Sequence, residues 1–427
     1  MADRTPFPRV FWVANLIEVF ERFAYYGIYF GFGIYMAQLG YSRDQLGIIQ
    51  SIFLVISYGV PIFSGAIADK YGFKRVLLVS YAAYLPAVLL LTMTKSFSGI
   101  ALTMLAIGFA AGIFKPLISA TVRATTDASN KTIGFGIFYA MVNVGGSFGP
   151  IVAGKLRAIS WELSFYTAAG MIVLMALVTI FFYKEPPREE EVKSVGEKIR
   201  EIFEVMSDGK FSLFIILLGV FFWWPFWAFF NLCALYVDSS VDTAELYRGM
   251  HSVVPFLANF LSRVEEDGTR VILGETISHT GYIIMIAQIF VSRGIEKMPA
   301  MRSFMLGLII SALGFVVLGY ASVGAAGLVF AGIALFAVGE MIASPRIQEY
   351  VTWIAPKEKA GLYMGANFLG TMIGGLLSGI YTSVYGKVDA AGNPGLVWYI
   401  LAAHMVVAIL VFAVFNRTLG GFEERSA

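Results

Sequence analysis

Charge is scarce in this chain of 427 residues: only 14% of its side chains are Asp, Glu, Lys or Arg. Soluble globular chains carry about 25%, so composition excludes an ordinary water-soluble domain and points to the membrane class. Cysteine is nearly absent. The single Cys233 excludes an intrachain disulfide. Histidine is almost as rare, and His279 and His404 stand without a ligand-spaced partner, so no metal site is expected. There is no P-loop, nucleophile elbow or paired-cysteine pattern, which argues against an enzyme. The net charge of +2 carries no sign of a nucleic-acid partner, because the positive residues are sorted by position along the chain. A cleavable leader is not expected either, since the first apolar stretch is too long for one.

Long apolar runs are abundant, and about 20 residues suffice to cross a bilayer. Twelve are expected, at 10–38, 46–68, 74–94, 99–123, 133–157, 161–183, 211–237, 273–293, 301–320, 324–353, 359–385 and 394–416. Backbone polar groups in lipid must be satisfied within the segment, so the fold expected is an all-α membrane protein. Lys70, Lys74, Arg75, Lys131, Lys184, Arg188, Lys193, Lys198, Arg200, Lys210, Arg293, Lys297, Arg302, Lys357, Lys359 and Arg417 fall on alternate loops. That bias places both termini in the cytoplasm.

The charged break at 184–210 divides the chain into six-span halves, 1–183 and 211–427, the second with an outer insertion at 238–272. The insertion is net acidic, and 242–264 has the pattern for one or two short amphipathic helices on the interface; a structured loop cap is the expected reading, with a gate over the cavity as the alternative. A 6+6 layout with a charged linker is the major facilitator arrangement. Gly65-Ala-Ile-Ala-Asp69-Lys70-Tyr-Gly72-Phe-Lys74-Arg75 resembles the signature loop of that superfamily. Its glycines are expected to permit a tight turn, and Asp69 to accept bonds from a neighbouring helix end.

The strongest signal is Glu18, Glu21 and Arg22, three ionisable groups within five residues of the first span. Each costs about 2.5–3.5 kcal/mol at a helix centre on insertion scales. With Tyr25 and Tyr29 they follow i, i+3, i+4, i+7, i+11 and share one face. Lys115 lies inside the fourth span beside Pro116, and Glu340 inside the tenth near Pro345. Proline-interrupted segments at matching positions of two halves point to a transporter's substrate site. Three acids against two bases leave the set at −1, so one bound proton neutralises it. The alternative is static pairing, Arg22 with one glutamate and Lys115 with another. Tyr58, Asn143 and Asn367 are candidate hydrogen-bonding groups. The aromatic run Phe221–Phe230, with Trp223, Trp224 and Trp227, is expected to be lipid-facing and interfacial, with Trp227 as the one candidate to face inward.

Glu18-x-x-Glu21-Arg22-Phe-x-Tyr25-Tyr26-Gly27 resembles the first-helix signature of the proton-coupled oligopeptide transporters. Tyr58-x-x-Pro61, Phe114-Lys115-Pro116-x-Ile-Ser119, Phe138-Tyr139-x-x-x-Asn143-x-Gly145 and Gly339-Glu340-x-x-x-Ser344-Pro345 support the resemblance. It implies proton coupling through Glu18, Glu21, Lys115 and Glu340. It also implies a substrate carboxylate received by Arg22 and Lys115 and an amino group received by Glu340. Tyr25, Tyr26, Tyr29, Tyr58, Asn143, Trp227, Asn231 and Asn367 complete the candidate binding set; Gly65, Asp69, Lys70, Gly72, Pro116 and Pro345 are the candidate conformational residues. Tyr29 and Asn231 stand where the family has an Arg and an acid paired across its outer gate, and Asn367 where it has a Trp. The joint loss of the pair at Tyr29 and Asn231 implies a gate closed by packing and neutral hydrogen bonds, and the change at Asn367 implies a different pocket for peptide side chains. The resemblance implies a monomeric symporter of di- or tripeptides or similar zwitterions in a prokaryotic cytoplasmic membrane, with the proton as coupling ion and no cofactor. Export of amphiphilic compounds, or peptide sensing without transport, are the alternatives.

Overall fold

The computed structural model describes residues 6–127, 130–186, 195–322, 324–354 and 360–419. Arg188, Lys193, Lys357 and Lys359 of the charge pattern lie outside the described residues. The chain is mostly helical and forms two compact units, Met1–Gly31 with Ile56–Arg200, and Phe32–Val55 with Glu201–Ala427.

The first unit contains most of α1 (Arg9–Gln38), the end of α2 (Arg43–Gly59), and α3 (Pro61–Tyr71), α4 (Phe73–Met93), α5 (Phe97–Ala124), α6 (Lys131–Arg157) and α7 (Trp161–Phe182). Side-chain caps begin two of these helices: Ser96 accepts from the Gly99 amide at 3.2 Å, and Ser160 from the Leu163 amide at 3.3 Å. The N-terminus of α4 has no cap of its own; Glu185 supplies it, accepting from the amides of Phe73 and Lys74 at 2.6 and 3.1 Å. A carboxylate suits that place because the first amides of a helix lack partners and its dipole is positive there. The signature loop therefore differs from expectation. Gly72, with φ +101°, makes the turn between α3 and α4, whereas Gly65 lies inside α3, where an added Cβ would meet nothing closer than 3.9 Å.

Two glycines of α6 set the position of α1. A Cβ on Gly145 would lie 2.3 Å from the Val19 carbonyl oxygen and 2.7 Å from Arg22 Cβ; one on Gly149 would lie 2.3 Å from the Phe23 carbonyl oxygen. Small residues four apart let two backbones touch, which is how helices associate where no hydrophobic force separates protein from lipid.

The second unit holds α9 (Gly209–Leu218), a π turn (Gly219–Trp223), α10 (Trp224–Ser240), α11 (Thr243–Val253), α12 (Pro255–Leu261), α13 (Gly274–Ile277), α14 (Gly281–Ile295), α15 (Ala300–Tyr320), α16 (Leu328–Ile354), α17 (Ala360–Ala390) and α18 (Leu396–Thr418). The linker between the units carries α8 (Val195–Met206). In this unit the aromatic run is core, not lipid-facing bulk as expected from sequence. Trp223, Phe226, Trp227 and Phe229 are buried, and Phe229 stacks on Phe336 at 3.8 Å. Phe336, Phe315 and Trp398 extend the cluster. The run spans more than one helical face because the π turn before Pro225 adds a residue and rotates the helix beyond it.

Two further expectations are corrected, and ten of the twelve expected spans meet the length and hydropathy of a membrane helix among the described residues. The chain is not wholly α: β1 (Ser262–Val264) pairs antiparallel with β2 (Arg270–Ile272). Gly268 adopts φ +84° in the turn between them. β-branched residues flanking Asp267-Gly268 carry that hairpin signal. The segment 273–293 is not one helix but α13 and α14, interrupted at Ser278–Thr280. Hydroxyls compete with the backbone there: Thr276 and Ser278 donate to the carbonyls of Leu273 and Gly274, both at 2.6 Å. The two expected spans outside those ten are α1, which carries Glu18, Glu21 and Arg22, and the broken 273–295 stretch.

Replacing Gly145 by Val should drive α1 off α6, costing about 1–3 kcal/mol through overpacking. Gly65→Ala should be silent. Thermal denaturation in detergent checks the pair.

Candidate functional site

Proline builds the site in the first unit. Pro61 has no N–H, so the Ser57 carbonyl four residues earlier loses its helical donor. Lys115 of α5 fills the gap, with Nζ donating to the Ser57 carbonyl at 3.3 Å and to Ser57 Oγ at 2.5 Å. The same repair occurs twice more. Pro116 frees the Gly112 carbonyl, which accepts from Ser64 Oγ at 3.3 Å. Pro345 frees the Met341 carbonyl, which accepts from Gln288 Nε2 at 3.3 Å.

The ammonium of Lys115 also lies over the Tyr58 ring at 3.9 Å and the Tyr25 ring at 4.8 Å. Tyr25 in turn shares a hydrogen bond with Ser57 Oγ at 3.2 Å. Among the described residues Lys115 makes no ion pair. Static pairing of this lysine with a glutamate is therefore not what the structure shows. Its charge is held by a freed carbonyl, a hydroxyl and two π-faces, all neutral.

Arg22 is the opposite case. Its Nε lies 2.6 Å from Glu18 Oε1 and 3.3 Å from Glu21 Oε2. Both glutamates are fully buried and Arg22 is 9% exposed. Neither Glu21 oxygen nor Glu18 Oε2 has a hydrogen-bond donor among the described residues. Two carboxyls around one guanidinium leave one negative charge in excess when all are ionised. The i, i+4 spacing brings Glu18 and Arg22 together, as the helical wheel requires. Tyr25 stacks with Tyr29 at 5.8 Å and meets Tyr26 edge-on at 5.1 Å, so the three tyrosines continue the face. Asn143 is buried in α6 and donates to the Tyr139 carbonyl of its own helix at 2.9 Å.

In the second unit, half-buried Glu340 accepts from Thr280 Oγ1 at 2.7 Å and makes no ion pair among the described residues. Thr280 is the N-cap position of α14, so the interruption in 273–295 delivers a hydroxyl to this carboxylate. Asn231 belongs to a neutral network. Its Nδ2 donates to Ser378 Oγ at 3.0 Å, and its carbonyl accepts from Gln50 Nε2 at 3.2 Å. Gln50 Oε1 accepts from Thr382 at 2.7 Å. Residues 32–55 thus join the second unit through α2, where Gly47 and Gly379 are in backbone contact. Trp227 packs on Trp223 and Phe226. Asn367 is buried with no donor to its side-chain oxygen among the described residues. Lys70 lies over the Tyr71 ring at 5.3 Å, on the end of α3 that also carries Asp69.

Sequence reasoning missed Ser57, Gln50, Thr280, Gln288 and Glu185. For Ser57 and the Met341 carbonyl the signal is present: a proline four residues later marks a carbonyl that needs a donor. The donors themselves come from other helices and leave no local trace. Removing Gln288 should leave a buried carbonyl unsatisfied, at a cost of about 1–3 kcal/mol. Restoring the helical donor with Pro345→Ala should recover much of that loss in a Gln288→Ala background. A double-mutant cycle on thermal stability reads the coupling.

The model of the Major Facilitator Superfamily matches residues 14–379. Among curated relatives, the quinolone resistance protein NorA of Staphylococcus aureus is 22% identical over 209 residues, 49% of this chain and 53% of NorA. The chain thus spans about half the length of the first curated relatives it matches. The MFS-type transporter YqjV of Bacillus subtilis (strain 168) is 22% identical over 393 residues, covering 91% of this chain and 89% of YqjV. Similar solved structures include a POT family transporter in complex with 5-aminolevulinic acid, with TM-score 0.75, 19% identity, and coverage of 96% and 97%. A point mutant of the nucleoside transporter NupG gives TM-score 0.76 at 14% identity, with coverage of 95% and 99%. The family match over most of the chain establishes that this integral membrane protein belongs to the Major Facilitator Superfamily.

Proposed function

We propose that the chain is a proton-coupled symporter of small zwitterions, di- or tripeptides or peptide-like molecules, working by alternating access of two six-helix halves. The observation that carries this reading is the unequal treatment of the two buried cations. Arg22 is in ion-pair contact with Glu18 and Glu21, whereas the direct contacts of the Lys115 ammonium are with neutral groups and Glu21 acts on it only through space. A cation with no carboxylate in contact with it in a low-dielectric setting is a receptor for one, and a substrate carboxylate fits. Glu340, with one oxygen on Thr280 and no cation, is the complementary receptor for an amino group.

The acid pair on α1 supplies the coupling. Glu18 and Glu21 share one guanidinium, so a single proton on the pair removes the excess charge, and its release restores it. Ionisable groups at membrane depth persist where they serve a path of this kind. Tyr25 links the two parts, since it follows Arg22 on α1 and shares Ser57 with Lys115. Asn231, Gln50, Ser378 and Thr382 act as a neutral latch, which opens without separating buried charges. The residues around Gly72 and the prolines Pro116 and Pro345, each inside a continuous helix, serve the conformational change. The membrane is a prokaryotic cytoplasmic one with both termini inside, and the working unit is a monomer.

One observation favours a second reading. Quinolone resistance proteins stand among the relatives, which supports proton-driven export of amphiphilic compounds. The direction of flux separates the two.

In proteoliposomes with acid outside, labelled dipeptide should accumulate. Glu21→Gln should abolish gradient-driven accumulation while leaving counterflow exchange. Lys115→Ala should raise KM for peptide by about tenfold or more, near 1.4 kcal/mol. Accumulation by Glu21→Gln equal to the unsubstituted protein would sink the coupling assignment. Proton-driven extrusion of amphiphilic dyes, with no peptide uptake, would establish the exporter.

A further inference from the structure

The outer insertion leaves a continuous apolar face bare. Val253 and Phe256 are 79% and 81% exposed, and Val254, Leu257, Phe260 and Val264 join them. The rings of Phe256 and Phe260 lie parallel at 6.5 Å. The opposite face of α12 buries Ala258 and Leu261, so this short helix is already packed on one side. A cap standing in water would not present these apolar side chains together, because such patches mark an interaction surface.

Depth identifies the partner. The Leu273 amide donates to the Leu261 carbonyl at 3.3 Å, tying the end of α12 to the start of the next membrane segment. A Cβ on Gly274 would lie 2.4 Å from the Ala234 carbonyl oxygen and 3.1 Å from the Asp238 amide, so α13 rests against the final turns of α10, which ends at Ser240. Tyr236 of those turns donates to the Leu318 carbonyl near the end of α15 at 2.9 Å. The patch is therefore anchored at the level where membrane-crossing helices end. Below it α14 exposes Ile286, Ile289 and Phe290 at 64–75%, the surface expected against acyl chains. Charged residues rim the apolar face: Glu266 and Asp267 occupy the hairpin turn, Arg248 is exposed on α11, and Arg270 stands directly across the hairpin from Val264 at its edge.

We propose that the 253–264 face of the insertion is seated in the outer leaflet of the bilayer, at the boundary between headgroups and acyl chains. The insertion is then an interfacial float that ties the outer ends of α10 and α14 to the lipid surface. An apolar face beside polar and charged residues, at the end of membrane helices, has the composition of an interfacial segment. Arg248 and Arg270 supply cations for lipid phosphates.

The lone native thiol, Cys233, is fully buried, which permits site labelling with the unsubstituted chain as blank. Val253→Cys, Phe256→Cys and Asp267→Cys are each labelled with an environment-sensitive fluorophore and reconstituted into phosphatidylcholine–phosphatidylglycerol vesicles. At 253 and 256 the emission should shift to shorter wavelength and be quenched by lipids spin-labelled near the headgroup. Aqueous iodide should quench position 267 and spare the other two. Iodide quenching at 253 and 256 equal to that at 267 would overturn the proposal. So would disulfide-linked dimers through Phe256→Cys with protection from both quenchers, because a second copy would then cover the face.

Discussion

A carbonyl in lipid must find a donor, and this chain repeatedly removes one. Pro61, Pro116 and Pro345 each free the carbonyl four residues earlier, and each time a side chain from another helix takes the missing place. The repairs do more than satisfy backbone. The donor at Ser57 is a lysine, so the repair fixes a cation at one defined point, with two of its three hydrogens on Ser57. Helix interruption, cross-helix support and charge placement are therefore one arrangement. The interruption before α14 works similarly, by delivering the Thr280 hydroxyl to Glu340.

Close approach of helices is the second condition. Gly145 and Gly149 let α6 touch the backbone of α1 beside Arg22, and Gly47 and Gly379 do the same between α2 and α17. Lipid gives no hydrophobic drive for association, so contact at this range is what holds side chains such as Glu18 and Glu21 in register. The middle turns of α10 and α17, with Gln50 of α2, then join through amides and hydroxyls rather than ions.

Much of this is legible in residue order. Apolar runs of about 20 residues locate most spans, and the i, i+4 relation pairs Glu18 with Arg22 from spacing alone. Elsewhere local pattern misleads. The aromatic run 221–230 reads as lipid-facing because hydrophobicity does not distinguish lipid from protein as a partner, yet its rings pack on Phe336 and Phe304. Continuous hydrophobicity likewise hides the break at 278–280, where hydroxyls redirect the backbone. The hairpin at 262–272 is visible as an Asp-Gly turn but is overridden by the helical expectation for the whole chain.

Composition and spacing by themselves determined the membrane class, the helical architecture and the presence of five ionisable groups at membrane depth, because insertion energy and helix periodicity are local properties. Tertiary structure decided which of those charges are paired. Arg22 meets both of its acids on the same helix, so its pairing comes from neighbouring positions. The partners of Lys115 and Glu340 are Ser57 and Thr280, 58 and 60 residues away, and no local rule connects them. Only the packing of separate helices brings a freed carbonyl to one charge and a hydroxyl to the other.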